Sequence, residues 1–94
     1  MRRAAKVDGN HKAIVDEFRR LGCSVVSLAA VGGGVPDLLV GYGGRNFLVE
    51  VKLPKGKVSE LQKEWYYNWK GYATVVRSVE HVRERFKTWS AYYL

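Results

Sequence analysis

Apolar positions along the chain change period from helix to strand and back, and each change marks an element. Ile14, Val15, Phe18 and Leu21 recur at helical spacing and Gly22 follows as a stop. A first helix is therefore expected over 9–21, with Asp8 as its cap. Ser24 to Ala29 carries Val25, Val26 and Leu28 and predicts a first strand. Gly32-Gly33-Gly34 then breaks the chain as a flexible turn, and Pro36 holds Val35 extended. Two strands follow, Asp37–Tyr42 and Arg45–Leu53, joined by Gly43-Gly44. That pair suits a type I′ turn, whose two central residues both need positive φ. Ser59 caps a helix over 59–70 with Leu61, Trp65 and Trp69 on one stripe, stopped by Gly71. Ala73 to Arg77 is a β-branched fourth strand. Ser78 caps a last helix whose Val82, Phe86, Trp89 and Tyr93 share a face.

The order is α-β-β-β-α-β-α in one domain. Three strands can form an antiparallel meander, and the helix over 59–70 supplies the crossover that a parallel fourth strand needs. The expected fold is an α/β sandwich: a mixed four-stranded sheet flanked by helices.

The hairpin can be tested for register. With its loop centred on Gly43-Gly44, Tyr42 pairs with Arg45, and Asp37 falls opposite Glu50. Alternation then places Leu38, Val40, Tyr42, Phe47, Val49 and Val51 on one face, together with Arg45 at the turn end. The other face receives Asp37, Leu39, Gly41, Asn46, Leu48, Glu50 and Lys52. Opposed like charges repel, so stability alone does not explain two facing carboxylates. A divalent cation does: Mg²⁺ takes oxygen ligands and commonly uses one or two carboxylates. Lys52 shares the face, and an ammonium there can orient or help deprotonate a water and offset phosphate charge. The plainer alternative is that Lys52 only neutralises the acidic pair, which leaves the pair itself unexplained.

Composition narrows the partner. Sixteen basic residues against nine acidic ones give a net charge of +7 on 94 residues, an excess that favours a polyanion. The longest apolar runs are strand-length, so no membrane span is expected. No apolar stretch follows the basic start, so no secretory signal is expected either, and a cytoplasmic setting follows. The single cysteine, Cys23, excludes an internal disulfide and a Cys-rich zinc site, and reads as a small buried hydrophobe.

These residues also carry a family resemblance. Gly34-Val35-Pro36-Asp37 followed by Glu50-Val51-Lys52 resembles the PD-(D/E)xK nuclease signature, and the element order is similar to that restriction-endonuclease-like core. More closely, Gly-Val-Pro-Asp-Leu-Leu-Val, Phe-Leu-Val-Glu-Val-Lys and Leu-Gln-Lys-Glu-Trp resemble the VRR-Nuc family, whose stand-alone members are often encoded by phages. The resemblance spans roughly residues 8 to 80. It implies a phosphodiesterase dependent on Mg²⁺ or Mn²⁺. Asp37, Glu50 and the Val51 carbonyl would bind metal, and Lys52 would serve the attacking water. Gln62 matches a glutamine that these nucleases often place at the start of the following helix. Ser59-Glu60-Leu61-Gln62 is equally a capping box, and both roles stand open. One departure is that many relatives carry a metal-reaching glutamate on the first helix, where this chain has Asn10-His11. Asn10 would fill that role more weakly or through water; the alternative for both residues is a capping or packing role, and His11 lies on the stripe of Ile14 and Val15, as a packed histidine would.

Lys55 and Lys57, in the Pro-Lys-Gly-Lys loop after the acidic strand, are candidates for phosphate contacts; an ordinary solvated loop is the alternative. Arg2, Arg3 and Lys6 form a candidate basic arm over residues 1–7. The glycine run lacks the Gly-Lys-Ser/Thr ending of a P-loop, so no nucleotide cofactor is expected. The aromatics of the 59–70 helix are surplus to a small core. Trp65, Trp69 and Trp89 are expected in the core or an interface, and Tyr66 or Tyr67 points away, suiting base stacking or a subunit contact. The resemblance implies a homodimer, whose paired sites would suit a branched junction. The leading expectation is a structure-selective DNA endonuclease, with four-way (Holliday) junctions as substrate. The alternatives are a non-catalytic DNA-binding module and a sequence-specific restriction-type nuclease.

Overall fold

In the computed structural model, residues 9–93 are described, apart from the Tyr93 side chain. The expected Asp8 cap, the basic arm with Arg2, Arg3 and Lys6, and the inward place given to Tyr93 lie outside them. The elements are α1 (His11–Arg20), β1 (Ser24–Ser27), β2 (Leu38–Tyr42), β3 (Arg45–Val51), α2 (Glu60–Asn68), β4 (Ala73–Val76) and α3 (Val79–Tyr93). The strands lie in the order β1-β2-β3-β4, with the first three antiparallel and β4 parallel to β3.

Glycine sets the hairpin. Gly43 and Gly44 take φ of 60° and 75°, the double positive φ of a type I′ turn, and this fixes the pairing that follows. Tyr42 lies opposite Arg45 and Leu38 opposite Val49, the register expected from the sequence. The ladder stops one residue short of Asp37. Pro36 has no N–H to extend it, and the Val51 N–H that would have met the strand goes to the Asp37 carboxylate instead, at 3.1 Å.

Leu38, Val40, Phe47, Val49, Val51 and Val76 form a buried apolar face. It is closed by Ile14 and Phe18 of α1 and by Val82 and Trp89 of α3. Trp89 is fully buried, its ring nearly parallel to Phe47 at 3.9 Å and to Phe18 at 5.7 Å. Its Nε1 donates to the Tyr72 hydroxyl at 3.1 Å, so the indole carries no unmet donor into the core. Cys23 is buried at the rim, where burial pushes its thiol up to about 11 and keeps it inert.

Among the described residues, α2 is the helix over the other face of the sheet. Of its expected apolar stripe, Trp65 is half-buried, whereas Leu61 and Trp69 are 56% and 45% exposed, which takes Trp69 out of the core and leaves the interface as its expected place. Besides Trp65, the inward residues are Gln62 and Tyr66, one helical turn apart, bonded to Glu50 and to the Thr74 carbonyl. The reason is the surface beneath: a helix over a buried carboxylate must present hydrogen-bonding groups to it. Trp65 and Trp69 stack on each other at 4.9 Å, and the helix ends at Asn68, before Gly71. The glycine run is not merely flexible either. Gly34 (φ 83°) lies so close to α2 that a Cβ would stand 2.7 Å from the Leu61 carbonyl oxygen. Only glycine fits there.

Candidate active site

Strand β3 delivers Glu50 to the face under α2, and Lys52, one residue past its end, follows on the same side. Asp37 arrives from the start of β2. Glu50 is 3% exposed, an unusual place for a carboxylate. Its Oε2 accepts from Gln62 Nε2 at 2.8 Å and lies 3.4 Å from Lys52 Nζ. Its Oε1 is buried with no hydrogen-bond partner. Burial, reinforced by the charge of Asp37, pushes the Glu50 carboxyl up to about 7 despite Lys52 and Gln62.

The Asp37 carboxylate bonds the Val51 N–H. In an extended strand, a residue's carbonyl leaves on the same edge as its N–H, so the Val51 carbonyl faces the Asp37 side. Tyr66 stands over the cluster. Its phenol is pushed well above the usual range, first by burial and then by the charges of Glu50 and Asp37, so it remains a neutral hydroxyl. Tyr66 carried no expected role at this cluster; its spacing from Gln62 was the available signal.

Gln62 caps its helix and also reaches Glu50. Ser59 Oγ accepts from the Gln62 N–H and Gln62 Oε1 accepts from the Ser59 N–H, completing a capping box. The other end of the same amide bonds Glu50. The cap thus orients the side chain that holds the carboxylate.

Asn10 occupies the N-cap position of α1, but its side chain does not cap. Its Nδ2 donates to the Lys52 carbonyl at 3.0 Å and the Arg77 carbonyl at 2.9 Å, while its Oδ1 is buried without a partner. His11 is half-buried with Nδ1 likewise unpartnered. The buried carboxylate of α1 is Glu17, which is tied to Arg20 and to Arg83 of α3. Lys55 and Lys57 are exposed on the loop between β3 and α2. Among the described residues, no group of three or more His, Cys, Asp or Glu side chains is poised to hold a metal.

The donor set is nonetheless one that a hard cation accepts: carboxylate oxygens, one of them buried and unsatisfied, with a backbone carbonyl alongside. A mixed sheet with Asp, Glu and Lys clustered under the crossover helix is the arrangement of the PD-(D/E)xK nuclease fold. The comparisons with known proteins agree. The family model of the VRR-NUC domain matches residues 5–80, and the chain belongs to that nuclease family. A solved structure described as a VRR-NUC domain is 27% identical, with a TM-score of 0.66 over 89% of this chain and 92% of that one. Comparison with curated proteins gave no match. No helix among the described residues is long and apolar enough to cross a membrane.

Proposed function

We propose that the chain is a structure-selective DNA endonuclease dependent on Mg²⁺ or Mn²⁺, acting as a homodimer on branched DNA such as four-way junctions. The observation that carries this reading is the buried Glu50 carboxylate, with one oxygen unsatisfied and Lys52 and Asp37 beside it. Asp37, Glu50 and the Val51 carbonyl would hold the ion. Once bound, it would supply Lewis-acid polarisation of the scissile phosphate. Lys52 would orient the attacking water and offset phosphate charge. Gln62 would keep Glu50 aimed, and Asn10 Oδ1 would contribute through water. Lys55 and Lys57 would grip phosphates, which positions DNA without reading its sequence.

A second reading is favoured by Asn10, whose amide is spent on two backbone carbonyls where many relatives place a glutamate. On that reading the domain binds DNA without cutting it. The deciding assay is cleavage of labelled duplex, flap and four-way-junction DNA in Mg²⁺, Mn²⁺ or EDTA, for wild type, Asp37→Ala and Lys52→Ala. Cutting that needs metal and is lost in both variants supports the enzyme. Binding without cutting in either metal would select the binding module.

A further inference from the structure

Arg77 follows β4 and is held at its backbone N–H, its carbonyl and one guanidinium nitrogen. Its N–H donates to His81 Nδ1 at 3.1 Å and its carbonyl accepts from Asn10 at 2.9 Å. Its Nη1 donates to the Gly56 carbonyl at 2.6 Å and the Leu53 carbonyl at 2.9 Å, with the Pro54 carbonyl at 3.5 Å. The loop closes on itself through the Gly56 N–H and the Leu53 carbonyl at 2.9 Å. The turn carrying Lys55 is therefore wrapped around one guanidinium nitrogen, and Lys57 follows directly.

Bonds from an ionised donor are roughly twice as strong as neutral ones, and a guanidinium keeps its charge at any working pH. Nη1 has two hydrogens and three carbonyls around it, so it is saturated within the protein and cannot also bond a phosphate. The Asn10 side chain bridges the Arg77 carbonyl to that of Lys52, where the loop leaves β3. Arg77 thus holds the turn directly, and through the Asn10 amide it is tied to the Lys52 end of the same path.

We propose that Arg77 is a positioning residue for DNA binding, fixing the 53–57 loop so that Lys55 and Lys57 meet the backbone phosphates together. This rests on the nuclease reading for its ligand, but the hold on the loop can be measured without DNA. Binding of a labelled four-way junction in EDTA would be compared across salt concentrations for wild type, Arg77→Ala, Lys55→Ala/Lys57→Ala and the triple variant. Arg77→Gln would serve as a second variant should alanine fail to fold. Amide exchange at Gly56 would be read in parallel on the free protein.

Arg77→Ala is expected to weaken binding about as much as the double lysine variant, on the order of tenfold, with the triple variant no weaker than the double. The salt slope should fall by about two, the loss of two phosphate contacts, rather than by about one. Gly56 exchange should quicken by on the order of tenfold. Effects that multiply in the triple variant, or a slope that falls by about one, would make Arg77 an independent contact and overturn the proposal. Unchanged Gly56 exchange would overturn it too. A wild type that binds junctions but never cuts with metal would count against the nuclease reading alone, since neither readout here requires cleavage.

Discussion

Two carboxylates are buried among the described residues, Glu17 and Glu50, and they lie on opposite faces of the sheet. Glu17 sits between α1 and α3. Both its oxygens accept from Arg20, and Arg83 adds a bond at 2.8 Å. Those hydrogen bonds hold its carboxyl down to about 2. Glu50 sits under α2 with one lysine at 3.4 Å, a second carboxylate nearby and an oxygen left unbonded. It is driven up to about 7. A buried charge fully met by its neighbours serves the fold, whereas one left unmet is a place where a ligand's charge is worth most. The face under α1 and α3 meets its buried charge in full, and the face under α2 leaves its own unmet, which is what the proposed chemistry requires.

The sharpest separation of the two faces is in rate. Lys52→Ala should lower metal-dependent cleavage by on the order of 10²–10⁴-fold, the usual worth of a group acting on the proton of a nucleophile. Urea unfolding of the same variant should also register a loss, because it leaves the 3%-exposed Glu50 without its cation, so the rate is compared per folded molecule. Trp89→Ala should change stability alone. Removing this fully buried ring should cost about 3–5 kcal/mol of stability, read by urea unfolding. The rate per folded molecule should stay near wild type. A Trp89 variant that folds well but cannot cut would break the division of labour.

The pH dependence should carry opposite signs at the two sites. Glu50 rises from 4.5 to about 7 on folding, so its contribution is fully present below about pH 4.5 and lost as pH rises through about 7. Glu17 falls from 4.5 to about 2, so its contribution is present above about pH 4.5 and lost as pH falls through about 2. In metal-free buffer, Glu50→Gln should therefore stabilise the protein at pH 8 relative to wild type. Glu17→Gln should destabilise it at the same pH. Urea unfolding across the pH range checks both signs. The smallest effect belongs to the cap of α2: Ser59→Ala should cost about 1 kcal/mol in unfolding. It should also slow cleavage modestly, because the same box orients Gln62.

What the sequence disclosed follows the range of the interactions. The hairpin register was readable because two adjacent glycines and strict alternation determine it within a few residues. The capping box was readable for the same reason. The inward face of α2 was not. Leu61, Trp65 and Trp69 make the better apolar stripe, and only the buried Glu50 below explains why Gln62 and Tyr66 turn inward. Arg83 meets Glu17, and Arg77 meets the 53–56 turn, across long stretches of chain. No local pattern announces such contacts. Asp37, Glu50 and Lys52 could be placed side by side because a hairpin joins them; the contact of Arg77 with the turn could not, because a parallel crossover makes it.

The central claim is that the unmet charge at Glu50 is completed by a divalent cation. Thermal unfolding at pH 8, with and without Mn²⁺, tests it directly in wild type and Glu50→Gln. Binding to the folded state alone should raise the wild-type melting temperature as Mn²⁺ is added, by the equivalent of about 2.7 kcal/mol at a hundredfold excess over Kd. Glu50→Gln should show little or no rise. A wild type indifferent to Mn²⁺, or an equal rise in both proteins, would contradict the account.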